Sequence, residues 1–340
     1  MLALLGLLSA MVAGFTADAV MARPEAEGEG SGDGEADAPT EPAQGEGDGT
    51  DIIDWADPDD EPVSTDTPPP VAEDRVMTGG AGADSLFGDG GQDNITGLEG
   101  TDHLGGRGGD DLLDGGSGND HFWGGAGNDT VWGGEGNDVA QGEDGADRMD
   151  GGAGDDDLAG HEGADLLAGG EGQDTLSGGA DADTLEGDAG DDWLAGGYGD
   201  DSLQGGAGSD TLDGNDGNDI IWGDADGDVD FLNGGAGDDY LGIGGGDVAH
   251  GGEGADIFAL SDWMDGGGVA QISDYAPGED EIVVIYDPAT HPDPQLSVIS
   301  APGSLDATVM LDGLPVAQVA GGAGMDLSAL RLLSSDQLAA

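Results

Sequence analysis

Residues 79–105 read GGAGADSLF-GDGGQDNIT-GLEGTDHLG, three nine-residue units laid end to end. The period continues without a gap from Gly79 to Trp222, sixteen units in all. Position one is glycine in every unit, and position four is glycine in all but one, where Asp181 stands. Position six is always aspartate: Asp84, Asp93, Asp102, Asp111, Asp120, Asp129, Asp138, Asp147, Asp156, Asp165, Asp174, Asp183, Asp192, Asp201, Asp210 and Asp219. Position eight is always apolar, most often leucine. Self-similarity at so short a period marks a stack of small units rather than a conventional core.

The residue types explain one unit. Glycine permits positive φ and close backbone approach, which a tight turn requires. The last three residues alternate polar, apolar, polar, so they predict a three-residue strand with one side chain pointing inward. Such a strand holds only when neighbours stack on it, about 4.8 Å away. Stacking also lines up the aspartates in columns that repel unless neutralised. A hard dication with oxygen ligands removes the repulsion, and Ca2+ accepts carboxylates and backbone carbonyls in forgiving geometry.

The nine-residue unit resembles the hemolysin-type calcium-binding repeats of RTX proteins. That resemblance implies an all-β fold, a parallel β-roll (a right-handed β-solenoid) in which six residues make a Ca2+-binding turn, three make a strand, and two units complete a coil. It also implies multiple Ca2+ ions between turns on the same side, with unit n sharing an ion with unit n+2. Carried onto this chain, the metal ligands are the sixteen aspartates named above and carbonyls of turn glycines such as Gly82, Gly91 and Gly100. At Asp181 the expectation is a strained or weaker turn.

Composition agrees with a cation-dependent fold. The formal net charge is −70 over 340 residues, from 75 acidic residues against five arginines and no lysine. Charge of that size opposes compaction until cations bind. It also argues against nucleic acid or an anionic membrane surface as a partner. With 73 glycines and 4% aromatics, a conventional globular core is not expected, and zero cysteines exclude disulfides and thiolate metal sites.

The rest of the chain falls into segments. Residues 1–22 are apolar and read either as a signal peptide, with Ala17-Asp18-Ala19 as a small-residue cleavage site, or as a membrane anchor interrupted by Asp18. Residues 23–75 are rich in Pro, Glu, Asp and Gly and predict a disordered, self-repelling linker, with Asp51–Asp57 (DIIDWAD) as its single apolar island. Residues 76–260 are the expected calcium-binding roll. After Trp222 the phase slips: Gly223–Asn233 has eleven residues, regular units return with Asp239 and Asp256 at position six, and IGGGDVAH between them is one residue short. The carboxylate-dense stretch Asp224–Asp230 reads as a solvated acidic bulge, with an extra Ca2+ site as the alternative.

Residues 261–340 change character. VAQIS, EIVVIY, QLSVIS, ATVML and LPVAQVA read as strands between Gly, Pro and Asp turns. The segment Ile272–Ile282 resembles the strand-turn-strand that follows the repeats in RTX proteins and serralysin-type C-terminal domains. A terminal β cap is expected there, because an open roll end would expose unpaired strand edges. The resemblance adds a second role, carrying the signal for one-step, type I bacterial export. Such export normally uses no N-terminal signal, so the apolar start departs from the pattern. Secretion, or retention in the cell envelope through residues 1–22, are the two resulting locations.

No enzyme motif appears. His161-Glu162 is not followed by the spacing of a zinc protease, and no Gly-x-Ser-x-Gly elbow occurs. The expectation is a non-enzymatic, secreted or surface structural protein folded by external Ca2+. A calcium-dependent hydrolase or protease with an unrecognised site on the roll or cap is the alternative. His103 and His121, both at position seven and eighteen residues apart, should sit outward on adjacent turns, where they could hold a transition metal or respond to pH, though two histidines alone make a poor site. Trp123, Trp132 and Trp222 occupy position nine, also expected outward. No repeated threonine column supports an ice-binding face.

Overall fold

The computed structural model describes residues 72–223, 227–261 and 268–338. The apolar segment 1–22, the linker reading of 23–75 up to Val71, the patch Asp51–Asp57 and residues 224–226 of the acidic insertion lie outside the described residues.

Successive repeat strands alternate between two sheets, of 13 and 14 strands among the described residues. Within a sheet each repeat strand pairs in parallel with the strand two units on. Asn94, Leu112, Thr130 and Arg148 are consecutive partners in one sheet, and His103, His121, Val139 and Asp157 in the other. One coil is therefore two nonapeptides, and the fold is a parallel β-solenoid.

The strands are longer than the sequence suggests. Instead of three residues they typically run for six, as in Asn94–Glu99 and Leu112–Ser117, through positions seven to nine and on into positions one to three of the next unit. Only positions four to six remain as turn. The reason lies at position two, which has positive φ yet still pairs, whether it is glycine (Gly116, φ 99°) or not (Leu98, φ 88°). The ladder resumes past the glycine at position one, so the bend does not end the strand.

Position eight points inward throughout. Ile95, Leu113, Val131 and Met149 line one sheet, Leu104, Phe122, Ala140 and Leu158 the other, all at most 2% exposed. Each buried leucine contributes roughly 1.5–3 kcal/mol relative to exposure. Position four explains its glycine just as directly. Gly118 has φ 129°, and a Cβ there would run into the carbonyl oxygen of Gly100 one coil away. Asp181 is forced into the same region with φ 74°.

The out-of-phase units keep register. Thr211 pairs with Phe231 and Ile220 with Tyr240, spacings of 20, whereas Phe231 pairs with Val248 and Tyr240 with Ile257, spacings of 17. Insertion and deletion are absorbed in turns. Beyond them, Glu281–Tyr286 and then Leu330–Ser334 extend one sheet, while Ala270–Ile272 extends the other. An antiparallel meander of Leu314–Val319, Ala307–Leu311 and Leu296–Ile299 closes that second sheet. The five strands expected in this region form; Leu330–Ser334 was not expected.

Two outward expectations need correction. Trp222 is 2% exposed and packs against Tyr240 with ring centroids 5.4 Å apart, because the outer face of its sheet is covered near the C-terminal end. Trp132 is exposed as expected. Asp230 does not belong to a solvated bulge: it is fully buried, while its neighbour Val229 is exposed.

Candidate metal centre

The position-six aspartates form two columns, one on each edge of the roll. Asp84, Asp102, Asp120, Asp138, Asp156, Asp174, Asp192 and Asp210 occupy the first, and Asp93, Asp111, Asp129, Asp147, Asp165, Asp183, Asp201, Asp219, Asp239 and Asp256 the second. From Asp93 onward all are at most 3% exposed; Asp84, in the first coil, is half-buried.

One rule links neighbours within a column. The Oδ1 of each aspartate accepts the backbone N–H of the aspartate one coil earlier, as Asp120 Oδ1 does from Asp102 at 2.7 Å and Asp147 Oδ1 from Asp129 at 2.7 Å. The other oxygen has no such arrangement. The Oδ2 atoms of Asp102, Asp111, Asp120, Asp129, Asp138, Asp147, Asp156, Asp165, Asp174, Asp183, Asp192, Asp201, Asp219 and Asp239 are buried with no hydrogen bond. At the column ends the pattern reverses. Asp84 Oδ2 accepts from Gly80, Asp93 Oδ2 from Asp89, and Asp280 Oδ2 from Ala276.

A buried carboxylate oxygen without a partner carries a desolvation penalty of order kcal/mol. Burial accordingly pushes the carboxyls up: to about 7 for Asp129, Asp138, Asp156, Asp183, Asp192, Asp219 and Asp239, and to about 6 for Asp165 and Asp256. The backbone amide on Oδ1 works against that shift, and carboxylates one coil away add to it for most of them.

The free oxygens have oxygen neighbours. A Cβ built on Gly97 would run into both Asp102 Oδ2 and the carbonyl oxygen of Gly115 in the next coil, and Gly106 stands in the same relation to Asp111 Oδ2 and the Gly124 carbonyl. Position one is glycine because the carboxylate and this carbonyl occupy the space of a side chain. Among the described residues no group of three or more His, Asp or Glu side chains converges as a metal cage. The available donor set is one orphaned carboxylate oxygen in each of these fourteen units together with backbone carbonyls. That hard, all-oxygen set fits Ca2+.

The structure adds three carboxylates that the interrupted period hid. Asp230 Oδ1 accepts from Asp210, Asp247 Oδ1 from Asp230, and Asp280 Oδ1 from Asp256, continuing both columns toward the cap. Their signal was present: each stands two residues before an inward apolar residue, Leu232, Ala249 or Ile282, as every position-six aspartate does. His103 and His121 are outward and stacked, ring centroids 5.0 Å apart and planes 10° apart, a face-to-face pose rather than a convergent one.

A Ser-His-Asp grouping at the cap junction is not a nucleophilic triad. Ser273 Oγ and Asp274 Oδ2 both lie on His250 Nδ1, at 3.3 and 3.1 Å, and Ser273 Oγ donates to the Ala249 carbonyl at 2.7 Å. A triad needs the serine on one ring nitrogen and the carboxylate on the other. No helix among the described residues is long and apolar enough to cross a membrane.

Comparison with known proteins follows the geometry. The family model for the RTX calcium-binding nonapeptide repeat (4 copies) matches residues 76–104, 105–140, 132–167, 160–194, 168–203 and 195–230. No curated protein sequence matches. Among solved structures, the crystal structure of the extracellular lipase LipA from Serratia marcescens aligns at 21% identity and a TM-score of 0.17, over 66% of this chain and 40% of the lipase chain. So low a structural agreement carries no argument about activity. Periodicity, orphaned aspartate columns and family match agree: residues 76–230 are a run of RTX-type calcium-binding nonapeptide repeats.

Proposed function

We propose that the two aspartate columns hold a series of Ca2+ ions between coils and that ion binding drives folding of a secreted or cell-surface structural protein. The observation that supports this most is the run of buried Oδ2 atoms without hydrogen bonds at fourteen column aspartates, from Asp102 to Asp239, along both edges. The proposed ligands are the position-six aspartates from Asp84 to Asp219 with Asp239 and Asp256, extended by Asp230 and Asp247. Carbonyls complete the shell, from Gly82, Gly91 and Gly100 by resemblance and from Gly115 and Gly124 by their closeness to the free Oδ2 atoms of Asp102 and Asp111.

On this reading residues 76–260 are the ion-dependent roll and 261–340 its cap and export region, with 1–22 a signal peptide or anchor and 23–75 a linker. At the low Ca2+ of a cytoplasm the repeats repel themselves and stay export-competent. Outside, where calcium modules work at about 10⁻⁴–10⁻³ M, binding free energy becomes folding free energy. Within the ladder the chain's own residues fix the geometry: each Oδ1 is tied to an amide, which leaves Oδ2 aimed at the ion.

Far-UV circular dichroism of the full chain during a Ca2+ titration, with Mg2+ as control, tests this directly. A cooperative gain of β signal near millimolar Ca2+ that Mg2+ does not reproduce is the expected result. Identical spectra in Ca2+ and in chelator would sink the proposal.

A further inference from the structure

Along most of the roll the outer face of the sheet containing His103–Gly108 and His121–Ala126 carries small or polar side chains at position nine, such as Gln141, Ala159 and Ser177. The first coils differ. Phe87, Gly105 and Trp123 are consecutive partners at position nine, so two rings flank a residue with no side chain. Their centroids are 6.4 Å apart, with planes tilted by 31°. The same gap recurs at position two, where Gly125 lies between Arg107 and Glu143.

The Phe87 ring leans over Gly105, where a Cβ would come within 2.6 Å of it, and an open groove of about 400 Å³ is walled by Phe87 and Trp123, lined by Gly105, Gly124 and Gly125, and rimmed by Arg107 and Glu143. Its parts are held in place. The indole of Trp123 runs nearly parallel to His103 and His121, with ring centroids 5.9 and 6.3 Å away. The guanidinium of Arg107 sits 5.9 Å from the Phe87 ring centre and donates to the Gly88 carbonyl at 3.0 Å. Yet Phe87 remains 41% exposed, on a surface otherwise dominated by carboxylates.

We infer that this groove is a binding site for a neutral saccharide. Three features select that class. Aromatic rings offer apolar faces beside polar groups, which suits a ligand that is itself apolar on one side and polar on its edge. Arg107 can only donate hydrogen bonds and Glu143 can only accept them, so a ligand reaching both needs groups that do each, as sugar hydroxyls do. The formal charge of −70 repels nucleic acid, anionic lipid and acidic polysaccharide, even with one arginine at the rim. An acyl chain filling the groove would place its methylenes against the charged rim and draw no benefit from it. The site opens on the outer face, meets the aspartate columns only through Gly124, which packs beside Asp129, and does not depend on the ion reading.

Isothermal titration of the full chain in Ca2+ with cellohexaose, maltohexaose and chitohexaose, and with an oligogalacturonate as anionic probe, tests the inference. At least one neutral probe should bind and the oligogalacturonate should not. Trp123→Ala should weaken binding by at least about tenfold. Gly105→Gln, whose Cβ would come within 2.6 Å of the Phe87 ring and so push that wall aside from an outward position of ordinary φ, should do the same. Both variants should keep the wild-type circular dichroism spectrum in Ca2+, which separates lost binding from lost folding. Silence with all three neutral probes, equal or tighter binding of the oligogalacturonate, or unchanged affinity in both variants would overturn it.

Discussion

Asp181 is the one residue at position four that is not glycine, and it holds φ 74°. Left-handed backbone is disfavoured for residues with a Cβ, though aspartate tolerates it better than most. The flanking coils impose the conformation, since Gly199 of the next coil packs directly on the Asp181 carbonyl. Replacing it relieves that strain without removing a column carboxylate, because Asp183 is the position-six residue of the same unit. Asp181→Gly is therefore expected to stabilise the Ca2+-loaded protein by about 1 kcal/mol, read as a raised thermal midpoint. A lowered midpoint would mean that the Asp181 carboxylate makes a contribution larger than its backbone strain.

The turn is an element with two ladders, and they run in opposite senses. At position six, Oδ1 reaches back to the amide of the preceding coil. At position five, exposed Asn and Asp side chains reach forward: Asp110 Oδ1 accepts from Asn128, Asn128 Oδ1 from Ala146, and Asp155 Oδ1 from Gln173. A turn with Asn or Asp at position five is thus tied to both neighbours by side chains as well as by backbone. Asn128→Ala breaks one forward link, and because the site is exposed the expected loss is modest, about 0.5–1 kcal/mol. It should appear as a higher Ca2+ midpoint in the circular dichroism titration with an unchanged endpoint.

Much of this element was legible in the sequence. An invariant apolar position eight predicted the inward column, and an 18-residue coil predicted aligned aspartates. Strand length was not legible, because a positive-φ residue that keeps pairing looks like a turn residue. The buried state of Trp222 was hidden for a different reason: position nine is exposed or covered according to what packs on the sheet, not according to the repeat. Asp230, Asp247 and Asp280 were missed because counting in nines failed where the turns changed length.

At the scale of the whole molecule, protons and Ca2+ compete for the same oxygens. Nine column carboxyls, among them Asp129, Asp138, Asp165 and Asp219, are pushed by burial above their ordinary value of 3.8, to about 6 or 7. A group whose folded value is raised stabilises the fold at pH below its unfolded value, and that contribution is lost as pH rises through the folded value. The calcium-free roll should therefore gain stability as pH falls from about 7 toward 4, helped by the declining net charge. In the presence of Ca2+ the same acidification should weaken ion binding, since the ligands must be deprotonated. Chain stripped of calcium and followed by circular dichroism from pH 8 to pH 4 should gain β signal, with the Ca2+ midpoint rising over the same range. A calcium-free chain that loses structure on mild acidification would contradict the assignment of these carboxyls to the interior.

The alternation of strands between two sheets makes the fold sensitive to parity. The two sheets end differently: one finishes in an antiparallel meander and the other in the single strand Leu330–Ser334. Losing one nonapeptide would send every later strand to the opposite sheet and bring each of these endings to the wrong side. Losing two would shorten the roll by one coil and leave everything downstream where it was. Turns can absorb a residue or two, but the roll can thus gain or lose whole nonapeptides only in pairs, and a lineage of such proteins would carry that even-numbered count as a record of its architecture.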